Sequence, residues 1–213
     1  MRFLSAFLFT AAAALAAPIT QVKLINAGSP AVVAHSVTID GSTERNVYIG
    51  PYTLLMNGEN LAALCIAFTD ESHINDRWNA YITPVASSDL SHTYHPTFET
   101  EYEEEAYLFS QIIKPGADRT GLQEAAWDIT SYGITDSSYT HLIGDNAYID
   151  AALANYNKID LSGYRLVSDT TPHAEQEFLV QVAPEPGSLA LFGVAMAFGA
   201  GAATWKRRRV VVG

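Results

Sequence analysis

Two long uncharged stretches bracket this chain and decide how much of it is left for a globular fold. The first covers residues 3–17, behind Arg2. With Ala14-Leu15-Ala16 as a small-x-small cleavage site, residues 1–16 read as a secretory signal peptide that is removed on export. The second covers residues 187–205 and stops at Lys206, Arg207, Arg208 and Arg209. A helix of that length spans about 28 Å, close to the hydrocarbon thickness of a bilayer. Basic residues stay on the cytoplasmic side, so residues 187–205 are expected to form a single transmembrane helix, with the body outside and Trp205 at the interface. Residues 17–183 remain, the length of one domain.

That body keeps 22 of the 23 acidic residues and 7 of the 12 basic ones, a net charge of −15. Nucleic acid and anionic lipid surfaces are therefore not expected as partners, because phosphate would be repelled. The body also holds the only cysteine, Cys65, inside LAALCIAF at residues 61–68. An exported chain with one cysteine forms no internal disulfide, so stability must come from the core. Cys65 is not a lipid anchor either: it lies far from the signal peptide, and Leu64 before it is too large for a lipoprotein cleavage site.

Short apolar or alternating runs at 22–26, 32–39, 46–49, 52–56, 61–68 and 78–83 read as strands, with Gly50-Pro51 and Asn57-Gly58 among the turns between them. The middle turns helical. Thr100 with Glu103 makes a capping-box pattern, after which Tyr102, Ala106, Phe109 and Ile113 recur at helical spacing until Lys114-Pro115-Gly116. A second helix over 120–133 puts Leu122, Ala125, Ala126 and Ile129 on one face. A third is expected over 146–156, and strands return at 164–168 and 177–182. The expected fold class is α+β: a mainly β domain, sandwich or barrel-like, with a helical segment inserted at its centre and the C-terminal transmembrane helix in addition.

The last thirty residues resemble a sorting signal. Pro184-Glu185-Pro186, then Gly187-Ser188, a Gly/Ala-rich span and the terminal basic cluster look like the PEP-CTERM domain of exported proteins in Gram-negative bacteria. The resemblance assigns residues 184–209 to that signal. It implies recognition by a membrane-embedded exosortase, cleavage near Pro184-Glu185-Pro186, and release or transfer of the ectodomain in the periplasm or at the cell surface, in a setting of exopolysaccharide and biofilm.

On a strand through residues 61–68, Leu64, Ile66 and Phe68 share one face, and Ala63, Cys65 and Ala67 the other. The sulfur then projects from a strip of small residues where another element can pack closely. On the second helix, at about 100° per residue, Gln123 sits at the shoulder of the apolar face, flanked by Ala126 and covered by Trp127. Leu64-Cys65-Ile66, with Leu122-Gln123-Glu124-Ala125-Ala126-Trp127 following, resembles the paired motifs of bacterial surface thioester domains. Ala67, Phe68 and Leu122 depart from the common pattern. The resemblance implies a bond between Cys65 and Gln123, shielded by Trp127, that a surface amine or hydroxyl opens to form a covalent adduct. It also gives the single thiol a reason, since a second would offer a competing disulfide.

A plainer reading stands beside this one. Cys65 is then a buried small hydrophobe, and Thr120-x-x-Gln123 a capping box whose carboxamide caps the backbone. The body is then a structural or matrix-associated surface protein without the bond. His92 and His95 lack a defined third ligand, so no metal site is expected. The glutamates at 99, 101, 103, 104 and 105 read as a solvated helix start. Hydrolase and phosphate-binding motifs are absent from the sequence, no cofactor is expected, and bond formation would be a single self-catalysed event without turnover.

Overall fold

The computed structural model describes residues 19–28, 33–39, 42–132 and 146–182. Among them the order is β1 (Ile19–Asn26), β2 (Val33–Ile39), β3 (Ser42–Tyr48), β4 (Tyr52–Met56), β5 (Glu59–Cys65), β6 (Arg77–Pro84), α1 (Glu99–Ile112), α2 (Arg119–Tyr132), α3 (Asn146–Asn155), β7 (Tyr164–Asp169) and β8 (Phe178–Gln181). Six strands close an antiparallel barrel in the order β1-β4-β5-β8-β7-β6, while β2 and β3 pair as a separate two-stranded sheet. The helices enter between β6 and β7, which gives an α+β barrel. The expected signal peptide at 1–16, Pro184-Glu185-Pro186, the span at 187–205 and the basic cluster at 206–209 lie outside the described residues. No helix among the described residues is long and apolar enough to cross a membrane.

Local chemistry accounts for the hairpin that carries Cys65. Asn57 and Gly58 adopt φ of 53° and 83°, the left-handed pair that a two-residue hairpin turn needs and that Asn-Gly supplies at little cost. This sets the register Met56↔Glu59 through Tyr52↔Ala63. At the far end β5 pairs with β8 as Ala63↔Val180, Leu64↔Leu179 and Cys65↔Phe178. Facing residues share a side of the sheet.

Two cores result. Leu64, Leu166 and Leu179 point outward and join Ile66, Tyr102, Ala106, Phe109, Ile112, Leu122 and Ala126 in the core beneath the helices. Each wholly buried leucine contributes about 2 kcal/mol. The opposite side faces the barrel interior, where Phe178 meets Tyr52 edge to face at 5.7 Å and stacks on Trp78 at 6.1 Å. The small-residue strip of β5 therefore faces that interior, and the helices pack on its leucine side.

Three helical expectations are corrected. Helix α1 starts at Glu99 with Phe98 at its cap and no side-chain cap hydrogen bond, so the Thr100–Glu103 capping box does not form. Ile112 is fully buried where Ile113 was expected, and Ile113 is 40 % exposed. Glu104 and Glu105 are buried, not solvated, because α1 is enclosed by α2, α3 and β8 and little of its circumference is left for water.

Candidate functional site

Strand β5 ends at Cys65, and α2 packs against it. Gln123, expected at the shoulder of the apolar face, is instead wholly buried, as is Cys65. Its Nε2 donates to the backbone carbonyl of Cys65 at 2.7 Å, and its Oε1 accepts the N–H of Gly50 at 3.3 Å. The carboxamide is thus held at both ends, on one side by the residue carrying the thiol. Helix α2 already starts at Arg119 and the Gly121 N–H donates to Asp118 Oδ1 at 3.2 Å, so Asp118 holds the cap and the expected Thr120–Gln123 capping box gives way to it.

Gly50 is the member of the site that sequence reasoning missed. A Cβ there would lie 2.8 Å from Gln123 Oε1, closer than real side chains come, and a tight 3.3 Å from the Tyr52 ring. Only glycine lets the 49–51 turn bring its N–H onto the carboxamide. The signal was Gly50-Pro51 before a strand, which reads as a turn and carries no hint of the partner. Tyr52 completes that wall: its phenol donates to the carbonyl of Tyr48, and burial, then the neighbouring Cys65, holds its pKa well above the ordinary tyrosine value.

The sulfur sits in an apolar chamber. Cys65 Sγ lies 3.5 Å from the Ala67 carbonyl. Burial pushes the thiol up to about 12, offset only in part by the Trp127 indole and the Ala67 backbone. Trp127 is 1 % exposed and packs edge to face on Phe68 at 4.8 Å. Its Nε1 makes no hydrogen bond of good geometry, so the indole acts on the sulfur as a polar neighbour and not as a bound donor. Trp127 is thus a buried neighbour of the Cys65 sulfur. On the next turn of α2, Thr130 donates to the Ile66 carbonyl at 2.5 Å, which fastens the helix to the chain leaving β5.

A second polar cluster lies nearby. Glu177 is buried and fully engaged: Oε1 accepts from the Tyr94 backbone N–H at 3.0 Å and from Ser168 at 2.5 Å, and Oε2 accepts from the Tyr102 phenol at 2.7 Å. Burial raises its pKa, and these hydrogen bonds oppose the rise. Glu105, wholly buried, has neither oxygen in a hydrogen bond of good geometry. Burial, then Glu177, holds its carboxyl well above the usual range. His92 and His95 part company, stacking on Tyr81 and Phe98 respectively. No group of three metal-ligating side chains gathers among the described residues. A groove of about 630 Å³ between the α1–α2 connection and α3 is lined by none of Cys65, Gln123 or Trp127.

Compared with known proteins, the chain is matched by no family model, no curated protein and no solved structure.

Proposed function

We propose that this chain is an exported cell-surface protein whose body forms an internal thioester between Cys65 and Gln123 and uses it to attach covalently to a target. The observation that carries the reading is the buried carboxamide of Gln123, held between the Cys65 carbonyl and the Gly50 N–H. In bond formation Sγ attacks Cδ of Gln123, the thiol proton passes to Nε2, the C–N bond breaks, and ammonia leaves. The Gly50 N–H donates to the oxygen on which negative charge develops, the role of an oxyanion-hole donor. The Cys65 carbonyl orients the departing nitrogen. Amide-to-thioester exchange is uphill in water, so pre-positioning and exclusion of water supply the drive. Burial works both ways: it keeps the thiol protonated, with a pKa of about 12, which slows attack, and it protects the product from hydrolysis.

The C-terminal resemblance supplies the address: an exosortase acting near Pro184-Glu185-Pro186, with residues 187–205 in the membrane and residues 206–209 on the cytoplasmic side until then. A second reading is favoured by the same two hydrogen bonds. They satisfy the carboxamide by themselves, so Gln123 can be a clasp that pins α2 to β5 and the 49–51 turn in a structural or matrix-associated surface protein. Intact-mass spectrometry of the purified exported protein separates the two. The thioester gives a mass short by one ammonia, absent in Cys65→Ala, and methylamine then adds at Gln123. A full mass with a freely titrating thiol would leave only the clasp.

A further inference from the structure

The α1–α2 connection and α3 leave between them a groove of about 630 Å³, within the range of roughly 300–1,000 Å³ that small-ligand sites occupy. It stays open because α3 lines it with Ala147 and Ala151. Residues four apart share a helix face, and two methyl groups fill little of the wedge. The other walls carry larger groups. Tyr107 on α1 and Tyr148 on α3 are partly buried against the core beneath the helices and give the groove aromatic surface. Gln111, Lys114 and Asp118 give it polar atoms.

Tyr148 is fixed in its wall. Its phenol donates to Asp118 Oδ2 at 2.9 Å, and its ring lies where a Cβ on Gly121 would come within 2.4 Å. Glycine inside a helix costs about 1 kcal/mol relative to alanine; at position 121 it is what lets the ring seat on α2. Asp118 Oδ1 accepts the Gly121 N–H at 3.2 Å, so the carboxyl group is held between the start of α2 and the tyrosine. Both of its oxygens act as acceptors, and each keeps a lone pair for a further donor. Lys114 donates one of its N–H groups to Gln111 Oε1 at 2.6 Å and keeps the others. Aromatic surface and hydrogen-bonding capacity are thus in place before a ligand arrives, which limits the ordering cost of binding.

We propose that this groove binds a neutral carbohydrate chain, with sugar rings against Tyr107 and Tyr148 and hydroxyls hydrogen-bonded to Lys114 and Asp118. The inference stands apart from the thioester reading. A pyranose has C–H faces that pack on an aromatic ring and vicinal hydroxyls that both donate and accept, which is the mixture the groove offers. Charge narrows the choice of ligand. The lining holds one residue of each sign, Lys114 and Asp118. An anion would approach a body of net charge −15, and a cation would meet Lys114. An uncharged polyol meets neither obstacle.

The test titrates the isotopically labelled exported protein with cellotriose and with maltotriose and follows backbone amide shifts by NMR. Trigalacturonate is the anionic control and choline the cationic one. At least one of the neutral trisaccharides is expected to shift amides of residues 107–122 and 147–151, with Kd below about 10 mM. Lys114→Ala, at an exposed position, and Tyr107→Ala are each expected to weaken that binding by about 10-fold, while Cys65→Ala leaves it unchanged. Should Tyr107→Ala fail to fold, Lys114→Ala decides alone. No shift of the groove amides by either trisaccharide, an affinity unaltered by the groove substitutions, or tighter binding of a charged control overturns the inference.

Discussion

Gly50→Ala tests the site at the residue on which its geometry turns. The added methyl would sit 2.8 Å from Gln123 Oε1 and 3.3 to 3.4 Å from two carbons of the Tyr52 ring. Ordinary carbon–oxygen contact is several tenths of an ångström longer, and Tyr52 has little room to yield: it is 4 % exposed and packed against Phe178. The carboxamide must therefore move by roughly half an ångström, and the Gly50 N–H bond, already 3.3 Å, lengthens beyond useful range. Overpacking costs about 1–3 kcal/mol of stability. The loss of an oxyanion donor together with misplacement of the carbonyl slows bond formation by about 100-fold. The assay follows the ammonia-loss species by intact mass against time, with urea unfolding of the same samples to show that the variant is folded. A folded Gly50→Ala protein that closes the bond at the wild-type rate would refute the role given to this turn.

Trp127→Phe preserves an aromatic contact with Phe68 but leaves part of the indole's volume empty beside the sulfur. Bond formation should survive, with hydrolysis to a free thiol and a carboxylate at position 123 several-fold faster; an unchanged lifetime would remove Trp127 from the shield. The raised carboxyl of Glu105 makes stability depend on pH. The folded chain keeps a proton that the unfolded chain releases above about pH 4.3, so this contribution is complete below that pH and declines as pH rises toward the folded value. The slope is up to about 1.4 kcal/mol per pH unit. Glu104 and Glu177 are raised as well and act with the same sign. Glu105→Gln, neutral throughout, should be more stable near neutrality and flatten the profile of urea midpoints; parallel profiles would count against a protonated Glu105. Tyr102→Phe removes the donor on Glu177 Oε2 and is expected to cost about 1–3 kcal/mol, measured by the same unfolding; no change would mean water replaces the phenol.

Much of the architecture was legible along the chain. The Asn57-Gly58 turn, β4 and the inserted helices follow from local chemistry: a dipeptide that tolerates left-handed backbone, apolar residues with period two, then apolar residues with helical period. The face assignments of Leu64 and of Leu122, Ala125 and Ala126 follow in the same way, because alternation and helical angle are properties of a single segment. Cys65 and Gln123 were singled out together only through a resemblance of short motifs, since periodicity says which side a residue faces and not what faces it in return.

What only the tertiary structure decided is every relation between segments. Barrel closure rests on β8 pairing with both β5 and β7, across more than a hundred residues from β5, and no local pattern records such a pairing. The same closure puts Cys65 toward the barrel interior while the helices pack on the leucine face of its strand. It encloses Glu104 and Glu105 on a helix that composition alone would leave in water. Gly50 became a site residue because a turn seventy-three positions away in sequence meets the Gln123 carboxamide. A sequence determines which segments form and which faces they bury; the packing of those faces, a balance of non-local contacts, determines which polar groups are left close enough to react.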